Sequence, residues 1–403
     1  MKLLVFAHTP PPFHGQSYMV GLMLQGLQEQ PQGEDKICCY HVDARFSRSL
    51  AEIGGLQPRK LFLLGKFVLQ AVWLRVRHGV KAFYYVPAPP KKSALIRDWI
   101  ILACCRPFFP CLILHWHATG LGGWLLGQPG WQRWISHRLL GQASLSIVLS
   151  SFNRTDAERF RPRQIALVNN GIPDPCPDYE QRINPRQQAR LNFRTQLLAG
   201  KNPSPEATKE AGDEPVVFHA LFLALCTEQK GLFDAIDGII LANRQLADQG
   251  CPIRIHLTVG GTFPEAGERA RFEALAGSAA AGGAVTYRGF LSGPEKLAAL
   301  AEADVFCFPT FYENENQPVN LIEAMAFGLP IIATRWRSIP EMFPEKYPGL
   351  VEAHSPHQIA EAFSSLMGHE DGPNFRAHFI KHFTLKNHLA TLRGALLKAD
   401  NSF

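Results

Sequence analysis

Two runs of alternating strand-like and helix-like segments, with a polar stretch between them, constrain the fold of this 403-residue chain more than any other feature. The first run opens with KLLVFA, passes through the loop HTPPPFHGQS, and enters a segment whose Met19, Leu22, Met23 and Leu27 share one helical face. The unit recurs at AFYYVPAPP with SALIRDWIILACC, at PCLILHWHATG with WQRWISHRLL, at SLSIVLSS with NRTDAERF, and ends at IALVNNG. Residues 173–215 are rich in Pro, Gly and charge and read as a linker with one short helix within RQQARLNFRTQLL. The alternation then restarts with VVFHALFLALC, a helix from Gly231 to Leu246, IRIHLTVGG, a helix near 265 to 277, VTYRGF, SGPEKLAALAEA, DVFCFP and PIIAT. Strands alternating with helices form parallel sheets covered on both faces. The predicted fold class is therefore α/β, with two doubly wound Rossmann-like domains facing each other across a cleft. The expected domains are 1–172 and 216–385, joined by the linker, with a separate closing segment at 386–403.

Composition narrows the class. With 46% hydrophobic and 19% charged residues the chain is expected to be globular. The start, MKLLVFAHTPPP, is too short in apolar residues for a signal-peptide core, and the longest apolar stretch, Trp99 to Leu114, is broken by Arg106, Pro107 and Pro110. The expected location is cytoplasmic. Nine cysteines without a C-x-x-C pair read as reduced thiols. Charge is uneven: residues 1–171 carry 20 Lys and Arg against 8 Asp and Glu, whereas residues 172–403 carry 21 against 27. The basic half should meet an anionic partner, and nucleic acid is not the one expected.

In open sheets of this kind ligands bind at the carboxyl ends of strands, so the loops there carry the chemistry. The stretch ENENQPVNLIEAMAFGLPIIAT, residues 313–334, follows such a strand. Pro318 suits the first position of a helix, which puts Glu315 in the loop and Glu323 inside a helix beginning near Val319. Gly328 stops that helix and Pro330 keeps it stopped. The backbone of residues 316 to 320 lies at a positive helix end, suited to phosphate, while the two carboxylates accept hydroxyls. A nucleotide sugar satisfies both ends, although a capping first-turn Glu beside a solvated one is the plainer alternative.

From Glu315 the sequence reads seven residues, Glu323, then Ala324-Met325-Ala326-Phe327-Gly328-Leu329-Pro330-Ile331-Ile332-Ala333-Thr334, and this resembles glycosyltransferase family 4, retaining enzymes of the GT-B fold. The resemblance implies that Glu315 touches the donor sugar's hydroxyls and Glu323 the ribose, with Asn316, Gln317, Pro318, Val319 and Asn320 forming the donor-binding turn. The family commonly has Gly-Phe where Asn316 and Gln317 stand. In CTEQKGLFDAI, Lys230 and Gly231 lie between a strand and a helix, where a cation meets a diphosphate. The family's Gly-Arg before this Lys is replaced here by Ala224 and Leu225.

In the first half, PPPFHGQS resembles the family's Gly-Gly loop, with Gly15 kept and Gln16 in place of the second glycine. Gly15 would let amides approach a ligand closely, or simply make a tight turn. LILHWHATG carries two histidines two apart, hence on one side of a strand. His117 matches the family's reaction-centre His, and His115 reads as a core residue. No further ligands at suitable spacing make a zinc site, and no Asp-x-Asp is present, so neither metal nor other cofactor is expected. LVNNGIPD resembles the turn that closes the family's first domain, and by the same resemblance the C-terminal helix packs back on that domain.

Residues 44–97 hold eleven Lys or Arg against one Glu, and six of the seven tryptophans fall in the first domain. RKLFLLGKFVLQAVWLRVRHGVK mixes both characters in one helix, as suits an anionic membrane surface; an ordinary surface helix over aromatic core residues is the alternative. The function expected is retaining transfer of a sugar from a nucleoside diphosphate donor to a lipid-linked or growing glycan acceptor, with Lys230, Glu315 and His117 catalytic. The alternatives are a GT-B sugar-nucleotide epimerase and a sugar-nucleotide-binding protein without catalysis, the latter because of Leu225. A nicotinamide dehydrogenase is disfavoured, since no G-x-G-x-x-G follows the first strand.

Overall fold

The computed structural model describes residues 1–11, 15–29, 36–46, 58–369 and 372–400. They form two compact units. The first comprises residues 1–172, 313–317 and 383–403, and the second comprises residues 173–312 and 318–382.

The first unit is built on a parallel six-stranded sheet of β1 (Lys2–Ala7), β2 (Cys38–Asp43), β3 (Ala82–Tyr85), β4 (Cys111–Trp116), β5 (Leu145–Val148) and β6 (Ile165–Leu167), in the order β2-β1-β3-β4-β5-β6. Apolar runs such as LLVF and AFYY are buried on both sheet faces, which is why they carry no polar alternation. Leu4, Phe6, Phe83, Leu112 and Leu114 point to one face, against helices Pro58–His78 and Lys92–Cys105. Leu3, Val5, Tyr84 and Ile113 point to the other, against helices Gly15–Gln28 and Leu385–Asp400. β2 was not apparent in the sequence because it is an edge strand in which only Val42 is buried, so CCYHVD shows no apolar run.

The Asn-Gly turn after β6 anchors the C-terminal helix. Ile172 bridges to Thr384, with Ile172 N donating to the Phe383 carbonyl at 2.9 Å and Leu385 N to the Ile172 carbonyl at 2.7 Å. His388 Nδ1 lies 2.6 Å from the Asn169 carbonyl.

The second unit has β7 (Val217–Leu223), β8 (Arg254–Gly260), β9 (Val285–Tyr287), β10 (Val305–Phe308), β11 (Ile331–Thr334) and β12 (Leu350–Val351), all parallel, in the order β12-β11-β10-β7-β8-β9. The chain leaves β7 toward β8 on one side and returns to β10 on the other, so strand order reverses between β7 and β10.

The segment 173–215, expected as a linker with one short helix, lies within this unit and carries a π-helical turn, Tyr179–Ile183, and two α-helices, Asn184–Leu198 and Pro205–Ala211. A buried ionic cluster holds it. Arg190 places Nε and Nη2 2.8 and 2.9 Å from the two Asp304 oxygens, and Arg194 Nη1 adds a third bond at 2.9 Å. Burial alone would raise the Asp304 carboxyl, but Arg194, Arg190 and the His219 amide together hold it well below the usual carboxylate range.

Candidate functional site

In the second unit the ligand position is set by topology, since the loops after β7 and β10 flank the reversal in strand order. Those loops are laced together. Phe311 N donates to the Gln229 carbonyl at 2.9 Å, Thr310 Oγ1 donates to the same carbonyl at 3.2 Å, and Asn320 Nδ2 donates to the Leu223 carbonyl at 3.0 Å. Lys230 sits among them, with its ammonium 4.4 Å from the Tyr312 ring centroid and 5.7 Å from that of Phe308. Aromatic faces attract a cation while leaving its hydrogens available to oxygen ligands.

Gly231 makes the close approach of the two loops possible. Its φ is +77°, and a Cβ there would stand 2.1 Å from the Pro309 carbonyl oxygen, so any larger residue would pry the loops apart. Gly231 caps the short 3-10 turn Glu228–Lys230 and opens the helix Leu232–Asp248.

The helix expected near Val319 runs from Val319 to Ala326, with buried Pro318 at its N-cap and no side-chain acceptor on that cap. Gly328 ends it at φ +62°, where a Cβ would meet the Tyr179 hydroxyl at 2.4 Å. Asn320 spends its side chain on the fold, since its Oδ1 also accepts from Leu321 N at 2.9 Å. Glu323 is half-buried and paired with Lys296, whose Nζ donates to Oε1 at 2.5 Å. SGPEKLAALAEA reads as an ordinary amphipathic helix, so the sequence by itself gives Lys296 no special place. Leu225, where the family resemblance leads one to expect Arg, is 37% exposed.

In the first unit, Glu315 belongs to the segment 313–317 and its carbonyl accepts from Thr119 Oγ1 at 3.0 Å. The two side chains that follow are buried. Asn316 Oδ1 accepts from Ser150 Oγ at 3.1 Å and its Nδ2 donates to the Trp116 carbonyl at 3.4 Å. Gln317 Oε1 accepts from Asn170 N at 2.5 Å, while its Nε2 donates to Asn169 Oδ1 at 3.2 Å and to the Leu149 carbonyl at 3.4 Å. These amides, expected as donor contacts, tie the Glu315 loop to the ends of β4, β5 and β6.

His117 follows β4 half-buried, its ring centroid 4.2 Å from that of His115. His115 is buried and its Nδ1 is 2.5 Å from the Tyr84 hydroxyl. Burial first, then the neighbouring His117 and His388, push the His115 pKa well below the usual imidazole value. Gly15 is exposed at the start of helix Gly15–Gln28; Pro12, Phe13 and His14 of the preceding loop lie outside the described residues. Among the described residues no three His, Cys, Asp or Glu side chains are grouped to hold a metal, and no helix is long and apolar enough to cross a membrane.

Two doubly wound parallel sheets with these loops define the GT-B class, and residues 217–369 match the family described as Glycosyl transferases group 1. The match therefore covers most of the unit that holds Lys230, Gly231 and Glu323, without its first segment 173–216.

Among curated proteins, the chain is 35% identical over 159 residues to the putative colanic acid biosynthesis glycosyltransferase WcaL of Escherichia coli, covering 38% of this chain and 37% of that one. The chain thus spans little more than a third of the length of that relative. Among solved structures, sucrose-phosphate synthase from Thermosynechococcus elongatus superposes with a TM-score of 0.67 at 17% identity, covering 100% of both chains. Anabaena Alr3699/HepE in complex with UDP superposes with a TM-score of 0.63 at 16% identity, covering 99% of this chain and 100% of that one. At such identities the likeness is one of fold.

Proposed function

We propose that this protein is a retaining glycosyltransferase of the hexosyltransferase type. It takes a sugar from a nucleoside diphosphate donor and places it on a lipid-linked or growing glycan acceptor, in polysaccharide or glycolipid biosynthesis. The observation that carries the reading is the laced pair of loops at the strand-order reversal of the second unit, which presents Lys230 beside Gly231 and the start of helix Val319–Ala326. That arrangement suits a diphosphate: an ammonium faces the bridging charge, and first-turn amides supply further donors. The group 1 match over the same residues and the UDP held by the HepE structure support it.

In this reading Lys230 and the helix start stabilise the departing diphosphate, and Glu323 accepts from the ribose hydroxyls. Glu315 accepts from the sugar hydroxyls, with Asn316 and Gln317 setting its loop, and Gly15 makes a turn whose amides are open to close approach by a ligand. His117 lines the reaction centre. The anomeric carbon–phosphate bond breaks as the acceptor oxygen bonds to the same face, and the leaving phosphate oxygen takes the acceptor's proton. No metal or other cofactor has a role. The site of action is the cytoplasmic face of a membrane, with the chain held peripherally on an anionic surface.

The test is incubation of the purified protein with radiolabelled UDP- and GDP-sugars and a membrane extract, following label into the lipid phase. Transfer that Glu315→Ala reduces far more than His115→Ala supports the assignment, and equal losses contradict it. The exposed Leu225 favours one other reading, a nucleotide-sugar-binding protein without catalysis; donor binding with neither hydrolysis nor transfer would select it.

A further inference from the structure

Helix Pro58–His78 is apolar on two sides. Leu64, Phe67 and Ala71 face the sheet and join the core, as an amphipathic helix requires. On the opposite side Leu61, Phe62, Leu69, Trp73 and Val76 are 67, 75, 72, 59 and 76% exposed. At 100° per residue these five fall within one third of the helical circumference, and the exposed cations Arg59, Lys66 and Arg77 line one edge of the stripe.

The stripe continues across neighbouring helices of the same layer. Helix Lys92–Cys105 packs beside Pro58–His78 and against Gly130–Leu140, the latter contact marked by Trp99 and Trp131 with ring centroids 5.9 Å apart. Trp131 and Trp134 are 58 and 69% exposed, and Phe108 at 47% is tied to the first helix by Arg75 Nε donating to its carbonyl at 2.7 Å. The three helices contain a single carboxylate, Asp98, which is fully buried and accepts from the Tyr85 hydroxyl and the Ala88 amide, each at 2.7 Å. What this layer shows to solvent is therefore apolar and cationic without a compensating anion.

We propose that this outward layer of the first unit is the surface that seats the protein on an anionic phospholipid bilayer, with Phe62, Leu69 and Trp73 entering the interface and Lys66 and Arg77 meeting lipid phosphates. The charge selects the occupant: an apolar partner protein has no need of a carboxylate-free cationic margin, whereas an anionic leaflet attracts each such cation. The inference deepens the membrane part of the function proposed above and is independent of the donor chemistry.

The experiment is co-sedimentation of the full chain with vesicles of phosphatidylcholine, with and without phosphatidylglycerol, alongside UDP binding and sedimentation velocity. The expected result is partition onto the phosphatidylglycerol vesicles that salt weakens. Leu69→Ser/Trp73→Ser and Lys66→Glu/Arg77→Glu should each weaken it about tenfold or more with UDP binding and melting temperature unchanged. Partition that ignores lipid charge, partition equal in the variants, or no partition at all would overturn the proposal. So would a dimer that Leu69→Ser/Trp73→Ser converts to monomer, since a second copy would then be what covers the face. Loss of UDP binding in the unsubstituted protein would count against the donor site alone.

Discussion

Lys296 and Glu323 face each other within the second unit, with Nζ 2.5 Å from Oε1 and the carboxylate only 12% exposed. A carboxylate that must accept from ribose hydroxyls gains from a cation that fixes its rotamer and leaves its second oxygen available. Glu323→Gln is expected to weaken UDP binding by about tenfold or more, the scale of a lost hydrogen bond to a charged group, whereas Lys296→Met should produce a smaller loss. Calorimetric titration of UDP into each variant checks this. With side chains 29% and 12% exposed, the pair contributes on the order of 1 kcal/mol to stability, so melting temperatures should fall only modestly.

Lys230 rests against the Tyr312 ring. Tyr312→Phe retains the ring and is expected to leave kcat near the parent value, while Tyr312→Ala removes the aromatic face beside the ammonium and should lower it. Lys230→Met should cost roughly a hundredfold or more in kcat, comparable to the loss of one preorganised charge-stabilising donor. Steady-state transfer assays on the three variants separate these outcomes.

Gln317 uses its side chain within the first unit, on Asn170, Asn169 and Leu149. Gln317→Ala leaves the Asn170 amide buried without its acceptor and is expected to cost roughly 1–3 kcal/mol of stability. If the residue acts by setting the Glu315 loop, kcat/KM for sugar transfer should fall while UDP affinity stays close to that of the parent. Thermal melts and UDP titration together distinguish a positioning residue from a direct contact with the nucleotide.

Asp304 supplies the pH dependence of the second unit. Its carboxyl titrates well below the ordinary value in the folded chain, so the unfolded chain binds the proton first as pH falls. The stabilisation is complete above about pH 4 and drains away as pH drops from there toward the folded value. Asp304→Asn leaves Arg190 and Arg194 buried without their counter-ion. It is expected to cost roughly 3–5 kcal/mol near neutrality and to flatten this acid limb, as read by urea unfolding at a series of pH values.

His115 acts in a higher window. Its folded pKa is depressed, so below about pH 6.5 the unfolded chain takes up a proton that the buried ring refuses, and stability of the first unit declines. His115→Gln should shallow the decline between pH 6.5 and about 5. Unfolding followed by tryptophan fluorescence reports chiefly on this unit, which holds six of the seven tryptophans.

Much of this was legible in the sequence. Continuous apolar runs mark strands buried on both faces, and Pro318 and Gly328 bracket a helix by their own backbone restrictions, so the two parallel sheets and the helix carrying Glu323 follow from local chemistry. What escaped depends on distant partners. β2 is an edge strand with little burial, and Arg190 looks like any surface arginine until Asp304 is placed beside it. The same holds for Lys296, which declares itself only through Glu323. Asn316 and Gln317 could be read as polar ligands because nothing local shows that the fold has already engaged their amides.

The most direct measurement is calorimetric titration of UDP into the unsubstituted protein, Lys230→Met and Glu323→Gln. Saturable binding that each substitution weakens about tenfold or more, with the fold intact by circular dichroism, is the expected result. No binding by the unsubstituted protein, or equal affinity in all three, would contradict a nucleoside diphosphate site at Lys230 and Glu323.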